Sequence, residues 1–123
     1  MSATTFDVSA SRFGDGPTPF LSARRVADLL GVTMTELAGL IGVARNTLTA
    51  RTGARKVDAA LSPVVRILAM AGEMAGDEQR AAIWFKHQPI PGWAGKTAYD
   101  LAHEGKTDKV LAYLEAVRSG VYA

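Results

Sequence analysis

From Ser22 to Arg51 the apolar core positions fall at spacings of three or four, and strand-like alternation is absent. A chain with that rhythm can bury its apolar groups only as stripes on helices, each facing a neighbour. The stripes are punctuated by residues that begin and end helices. Ser22 can cap a helix whose inner face is Val26, Leu29 and Leu30, stopped at Gly31. Thr33 and Glu36 have capping-box spacing, opening a second helix with Leu37, Leu40 and Ile41 inward and Gly42 as its stop. A third helix is expected from about Arg45 to Arg51, anchored by Leu48. Ser62-Pro63 reads as a cap followed by Pro at the first helical position, before a face of Val64, Ile67, Leu68, Ala71 and Met74. Gly76-Asp77 opens a short helix containing Ile83, Trp84 and Phe85, of which Trp84 is expected in the core. After a loop holding Pro89 and Pro91, Thr97 and Asp100 repeat the cap pattern ahead of Leu101. Thr107 is read as the cap of a last helix with Val110, Leu111, Leu114 and Val117 on one face, ended by Gly120. The expected fold is all-α, about seven short helices. It divides into a Ser-, Thr-, Gly- and Pro-containing arm (1–19, expected to be flexible), a helix-turn-helix region (20–59) and a C-terminal helical module (60–123).

Hydrophobic residues make up 48% of the 123, enough for a core, and the absence of Cys excludes disulfides and thiolate metal sites. The longest apolar stretches are broken by Arg66 and Glu73, short of the roughly 20 residues that span a bilayer. Met1 to Ala10 has neither a basic nor an apolar signal-peptide region, so a cytoplasmic protein with no membrane partner is expected. The net charge is only +2, but its distribution is uneven. Arg45, Arg51, Arg55 and Lys56 fall between Val43 and Val57 with no acidic residue among them. From Leu61 onward, seven Lys/Arg meet seven Asp/Glu. The basic segment is the electrostatic footprint of a phosphate-binding surface.

That segment follows a helix-turn-helix spacing. Small Ala38 lets two helices approach, Gly42 four residues later allows the tight turn, and Ile41, Val43 and Leu48 fill the space between. Arg45, Asn46 and Thr47 would head the second helix, where side chains reach base edges: Arg suits guanine and Asn suits adenine. Arg51, Arg55 and Lys56 are better placed for phosphates. Two positions depart from the usual pattern: Ala44 stands where a capping hydroxyl or carboxylate is common, and Arg51 where an apolar anchor is often found. An ordinary helical hairpin that never touches nucleic acid fits the same spacing.

Little in the remainder suggests catalysis. Asp100, His103 and Glu104 share a helix face, yet a metal would need a further ligand, and His87 is the only other histidine. No Gly-rich phosphate loop, Ser-His-Asp set or acid pair is present. The chain is read as a non-enzyme with no metal and no cofactor.

One ordered set of residues resembles a known family. Ala81 with Trp84-Phe85, a Pro-containing loop, Gly95-Lys96-Thr97-Ala98-Tyr99-Asp100-Leu101, then Gly105, Val110, Leu114 and the ending Gly120-Val121-Tyr122-Ala123 resemble the toxin-binding domain of Xre/MbcA/ParS antitoxins. The upstream helix pair resembles their Xre-like helix-turn-helix. Ala98 departs from the family, which usually has Pro there; Pro only favours the first helical turn, so Ala is tolerable. The resemblance implies a RES-domain toxin partner that consumes NAD+, with the C-terminal region and tail packed over the toxin's substrate entrance. On this reading Trp93, Lys96, Gly120, Val121, Tyr122 and Ala123 contact the toxin, Tyr122 offering a flat ring and a hydroxyl suited to interfaces. Operator DNA and a second copy of the chain, matching a two-fold operator, complete the expected partners. A stand-alone transcriptional regulator, whose C-terminal helices only dimerise or sense a ligand, is the alternative.

Overall fold

The computed structural model describes residues 22–50 and 53–120. The elements among the described residues are six helices and one 3-10 turn: α1 (Ala23–Leu30), α2 (Met34–Ile41), the 3-10 turn (Arg45–Leu48), α3 (Ala54–Ala75), α4 (Glu78–His87), α5 (Ala98–His103) and α6 (Thr107–Arg118). Among the described residues no strand forms, and Pro89 and Thr97 make one isolated antiparallel bridge. The all-α expectation therefore holds. The arm at 1–19 and the tail at 121–123 lie outside the described residues.

Most boundaries follow the local chemistry. Ser22 accepts a hydrogen bond from the Arg25 N–H. Thr33 and Glu36 close a reciprocal capping box at α2, as do Thr97 and Asp100 at α5. Asp77 caps α4 by accepting from the Arg80 N–H at 2.7 Å. Gly42 ends α2 at φ +78°, the left-handed conformation that makes the helix-turn-helix corner affordable only without a Cβ.

Three expectations are corrected. Ser62-Pro63 does not start a helix: α3 begins eight residues earlier and runs through Pro63. Val57, Leu61, Val64, Leu68 and Ala71 form one buried stripe with alternating spacings of four and three. Burying that stripe outweighs the bond to the Ala59 carbonyl that Pro63 cannot make. Thr107 is the first residue of α6 rather than its cap; Lys106 holds the cap position and makes no side-chain capping bond. The third helix shrinks to a single 3-10 turn. Ala44 has extended backbone but no side-chain oxygen to cap the next turn, and the Thr-rich segment that follows favours helix weakly.

One hydrophobic core unites the elements. It takes Val26 and Leu30 from α1, Leu37 and Leu40 from α2, Leu61, Ile67 and Leu68 from α3, Phe85 from α4, Leu101 from α5, and Val110 and Leu114 from α6. The long α3 packs on both α4 and α6, α1 packs on α4, and α2 packs on α5. The division at 59/60 expected from sequence falls inside α3, which belongs to both halves. Leu29, Ile41, Leu48, Trp84 and Leu111 pack at the edge of the core, half-buried. Met74, expected inward, points out from the last turn of α3 at 41% exposed, and Ile83 on α4 is 62% exposed. On α4 the buried stripe is Ala81, Ala82 and Phe85, which puts Ile83 on the opposite side of the helix.

Candidate nucleic-acid and partner-binding surfaces

The first surface is built by the corner between α2 and α3. After Gly42 the chain makes a short extended step through Val43 and Ala44, and the Thr47 N–H returns to the Ala44 carbonyl at 3.0 Å. Arg45 and Asn46 project from the resulting turn, both exposed. The Arg45 Nε–H donates to the Thr35 hydroxyl at 3.2 Å, which orients the guanidinium over the start of α2. The Asn46 carbonyl accepts from the Ala50 N–H and the Thr49 hydroxyl, leaving its side-chain amide outward. Thr47 behaves differently. It is half-buried, and its methyl and carbonyl lie against Gly53, where an added Cβ would stand 2.9 Å from both. Gly53 thus sets how closely the turn approaches the start of α3. Arg55 and Lys56 lie exposed on the first turn of that helix. Arg45, Asn46, Arg55 and Lys56 are all exposed on the two segments that meet where Thr47 approaches Gly53, whereas Thr47 itself is half-buried; Arg51 lies outside the described residues. Gly53 carries no chemistry of its own, and the sequence signal for it was only a glycine between two helical segments.

The second surface centres on the loop between α4 and α5. Buried Ile90 anchors it, donating its N–H to the Lys96 carbonyl at 2.8 Å. Two tight turns follow, closed by Trp93 N–H to the Ile90 carbonyl and Lys96 N–H to the Trp93 carbonyl. Ala94 takes φ +55° inside the second turn, a left-handed conformation costing roughly 1 kcal/mol in a residue with a Cβ. Trp93 is half-buried against the core, and the Lys106 ammonium lies 5.5 Å from its ring centroid, in cation–π range. Lys96 reaches Glu104 at 2.6 Å and Lys106 reaches the other oxygen of the same carboxylate at 3.2 Å. Those two lysines, Lys96 first, hold the Glu104 carboxyl below its ordinary range. Glu104 was weighed from sequence only as a metal ligand and Lys106 was not singled out, because nothing in their spacing announces that the loop folds back onto them.

The residues considered as metal ligands have other tasks. Asp100 caps α5, Glu104 joins the two lysines, and His103 stacks obliquely on Tyr99 with centroids 5.5 Å apart. Tyr99 also meets Phe85 edge to face at 6.1 Å. Partial burial pushes the Tyr99 phenol above its usual range, helped by Glu36 and Asp100. Gly39 faces this group: a Cβ there would come 3.4 Å from the His103 ring, so the helix-turn-helix and the C-terminal helices meet closely. Gly120 is exposed at the end of α6, its N–H bonded to the Val117 carbonyl.

Comparison with known families matches both parts of the chain. Residues 16–65 match the antitoxin Xre-like helix-turn-helix domain, and residues 70–120 match the antitoxin Xre/MbcA/ParS C-terminal toxin-binding domain. The chain belongs to the Xre/MbcA/ParS antitoxin family. No curated protein and no solved structure matches the chain. The two matched regions of the antitoxin meet between residues 65 and 70, within α3, so one helix is common to both. The Arg45–Lys56 corner lies in the helix-turn-helix match, and Trp93, Lys96, Glu104 and Lys106 lie in the toxin-binding match. Both matches are antitoxin domains rather than enzyme domains. No single described helix of the antitoxin is long and apolar enough to cross a membrane.

Proposed function

We propose that this antitoxin neutralises a RES-domain toxin, an enzyme that consumes NAD+, by packing its C-terminal region over the toxin's substrate entrance. It acts in the cytoplasm as a stoichiometric, non-catalytic inhibitor, with Trp93, Lys96, Gly120 and the tail Val121, Tyr122 and Ala123 as contacts. The observation that carries this reading is the match of residues 70–120 to a toxin-binding domain, joined to a well-braced surface loop that presents Trp93. The same chain, as a homodimer, represses its own genes. Arg45 and Asn46 read bases, while Arg51, Arg55 and Lys56 neutralise phosphates. Thr47, half-buried under Gly53, contributes by holding the turn, and any base contact from it is secondary.

Co-expression with the neighbouring gene product, followed by pulldown and an NAD+ depletion assay, tests the first activity. A retained complex that spares NAD+ is expected, and deleting Val121 to Ala123 should abolish protection without unfolding the chain. Absence of any retained partner, with NAD+ unaffected, would overturn the toxin reading in favour of a plain regulator. For DNA, each subunit should neutralise about two to four phosphates, and log affinity should fall with log salt by about 0.9 per phosphate. A slope near zero in an operator titration removes the DNA reading.

A further inference from the structure

We propose that Lys96 and Lys106, bridged by Glu104 and backed by the Trp93 ring, form a seat for a carboxylate side chain of the toxin. The inference rests on the reading of this half of the chain as toxin-facing, and goes beyond it by naming the chemistry of the contact. Each ammonium has three N–H donors, and Glu104 accepts from both while carrying one charge against their two. The cluster keeps a surplus positive charge, with lysine side chains still 42% and 43% exposed and donors left to solvent. A second carboxylate arriving from a partner would complete an alternating arrangement of two cations and two anions.

The opposite stoichiometry occurs at the end of α6. There one guanidinium, Arg118, serves two carboxylates, Glu73 at 3.8 Å and Glu115 at 2.8 Å, and no cation is in surplus. The loop cluster is also preorganised. Ile90 is buried beneath it, its turns are closed by backbone bonds, and Lys106 is held against the Trp93 ring, so little side-chain freedom remains to be lost on binding. An indole ring beneath a cation suits a protein interface. A nucleic acid is disfavoured as the occupant, because the local excess is a single charge and the cluster lies outside the basic corner.

The test titrates the full chain with the RES-domain protein encoded beside it, by calorimetry at low and high salt. Lys106→Gln and Lys96→Gln should each weaken binding about tenfold at low salt, with the difference shrinking at high salt. Lys106→Arg should stay within about threefold, since a guanidinium keeps both the charge and the ring contact. Lys106→Glu should be rescued by an Asp→Lys or Glu→Lys change on the toxin. Thermal melts of the free variants, expected to stay cooperative with only the small loss of an exposed ion pair, separate binding from folding. Unchanged affinity and salt dependence in both Gln variants, while the parent chain binds, would overturn the seat and leave the toxin reading intact. A parent chain that fails to bind the RES-domain protein overturns the toxin reading and the seat with it. Loss of duplex DNA binding in the Gln variants, with toxin affinity unchanged, overturns the proposal in favour of a nucleic-acid surface.

Discussion

A methyl group on Gly53 would collide with the carbonyl and methyl of Thr47, both 2.9 Å from its position, and a backbone carbonyl cannot turn away as a flexible side-chain end can. Gly53→Ala is therefore expected to destabilise the chain by about 1–3 kcal/mol, an overpacking penalty read from urea denaturation. It should also weaken DNA binding, because the turn bearing Arg45 and Asn46 must move away from Arg55 and Lys56. Single carboxyls govern the response to acid. The Thr33 backbone N–H, then the Thr33 hydroxyl, holds Glu36 below 4.5, and the two lysines hold Glu104 below it. A carboxyl whose pKa is lower folded than unfolded adds stability above the unfolded value and loses it as pH falls through the folded one. The urea midpoint should be flat with respect to these groups from about pH 7 to 5 and decline below about pH 4.5. Glu104→Gln should make that decline shallower, whereas an unchanged acid limb would deny Glu104 its ion pairs in solution.

At the scale of elements, the short 3-10 turn is the clearest point of leverage. Ala44 has the extended backbone of a capping residue, with φ −69° and ψ 145°, but makes no side-chain capping bond. Ala44→Ser supplies the missing acceptor and should add about 0.5–1 kcal/mol of stability, together with a small gain in helical circular dichroism. A loss of stability would mean that the turn is held by packing that the cap disturbs. The same element marks where sequence reasoning reaches its limit. The spacing of Ala38, Gly42 and Leu48 disclosed the helix-turn-helix, and Thr33-Glu36 and Thr97-Asp100 disclosed two helix starts, because those signals are encoded within four residues. The extent of α3 was misread at Ser62-Pro63, since a local start signal there is overruled by a stripe reaching back to Val57. The candidate toxin surface was half legible. Trp93 and Lys96 lie in the recognisable stretch, but Glu104 and Lys106 reach them only after the loop has closed through Ile90 and Lys96.

At the scale of the whole molecule, α3 runs through both matched domains. Leu61 is fully buried on it, in the core shared with α1, α2, α5 and α6. Leu61→Ala should cost about 2–5 kcal/mol, and the loss should fall on both halves together. Far-ultraviolet circular dichroism and tryptophan fluorescence should then report one coincident transition, because Trp84 and Trp93 sense the C-terminal half and helicity senses both. Two separated transitions would show that the halves fold independently. Fragments cut at residue 59/60 should fail to fold, since each would carry one part of α3 without its partner surface.

The shared helix also bears on how long such a chain persists in a cell. The described residues share one core; a chain that opens as one unit offers a protease no separately melting half to seize. Any ligand of the folded form, at either end, withdraws molecules from that opened pool by mass action. Occupancy of one surface therefore lengthens the lifetime of the other, and abundance becomes a running record of how much partner is present.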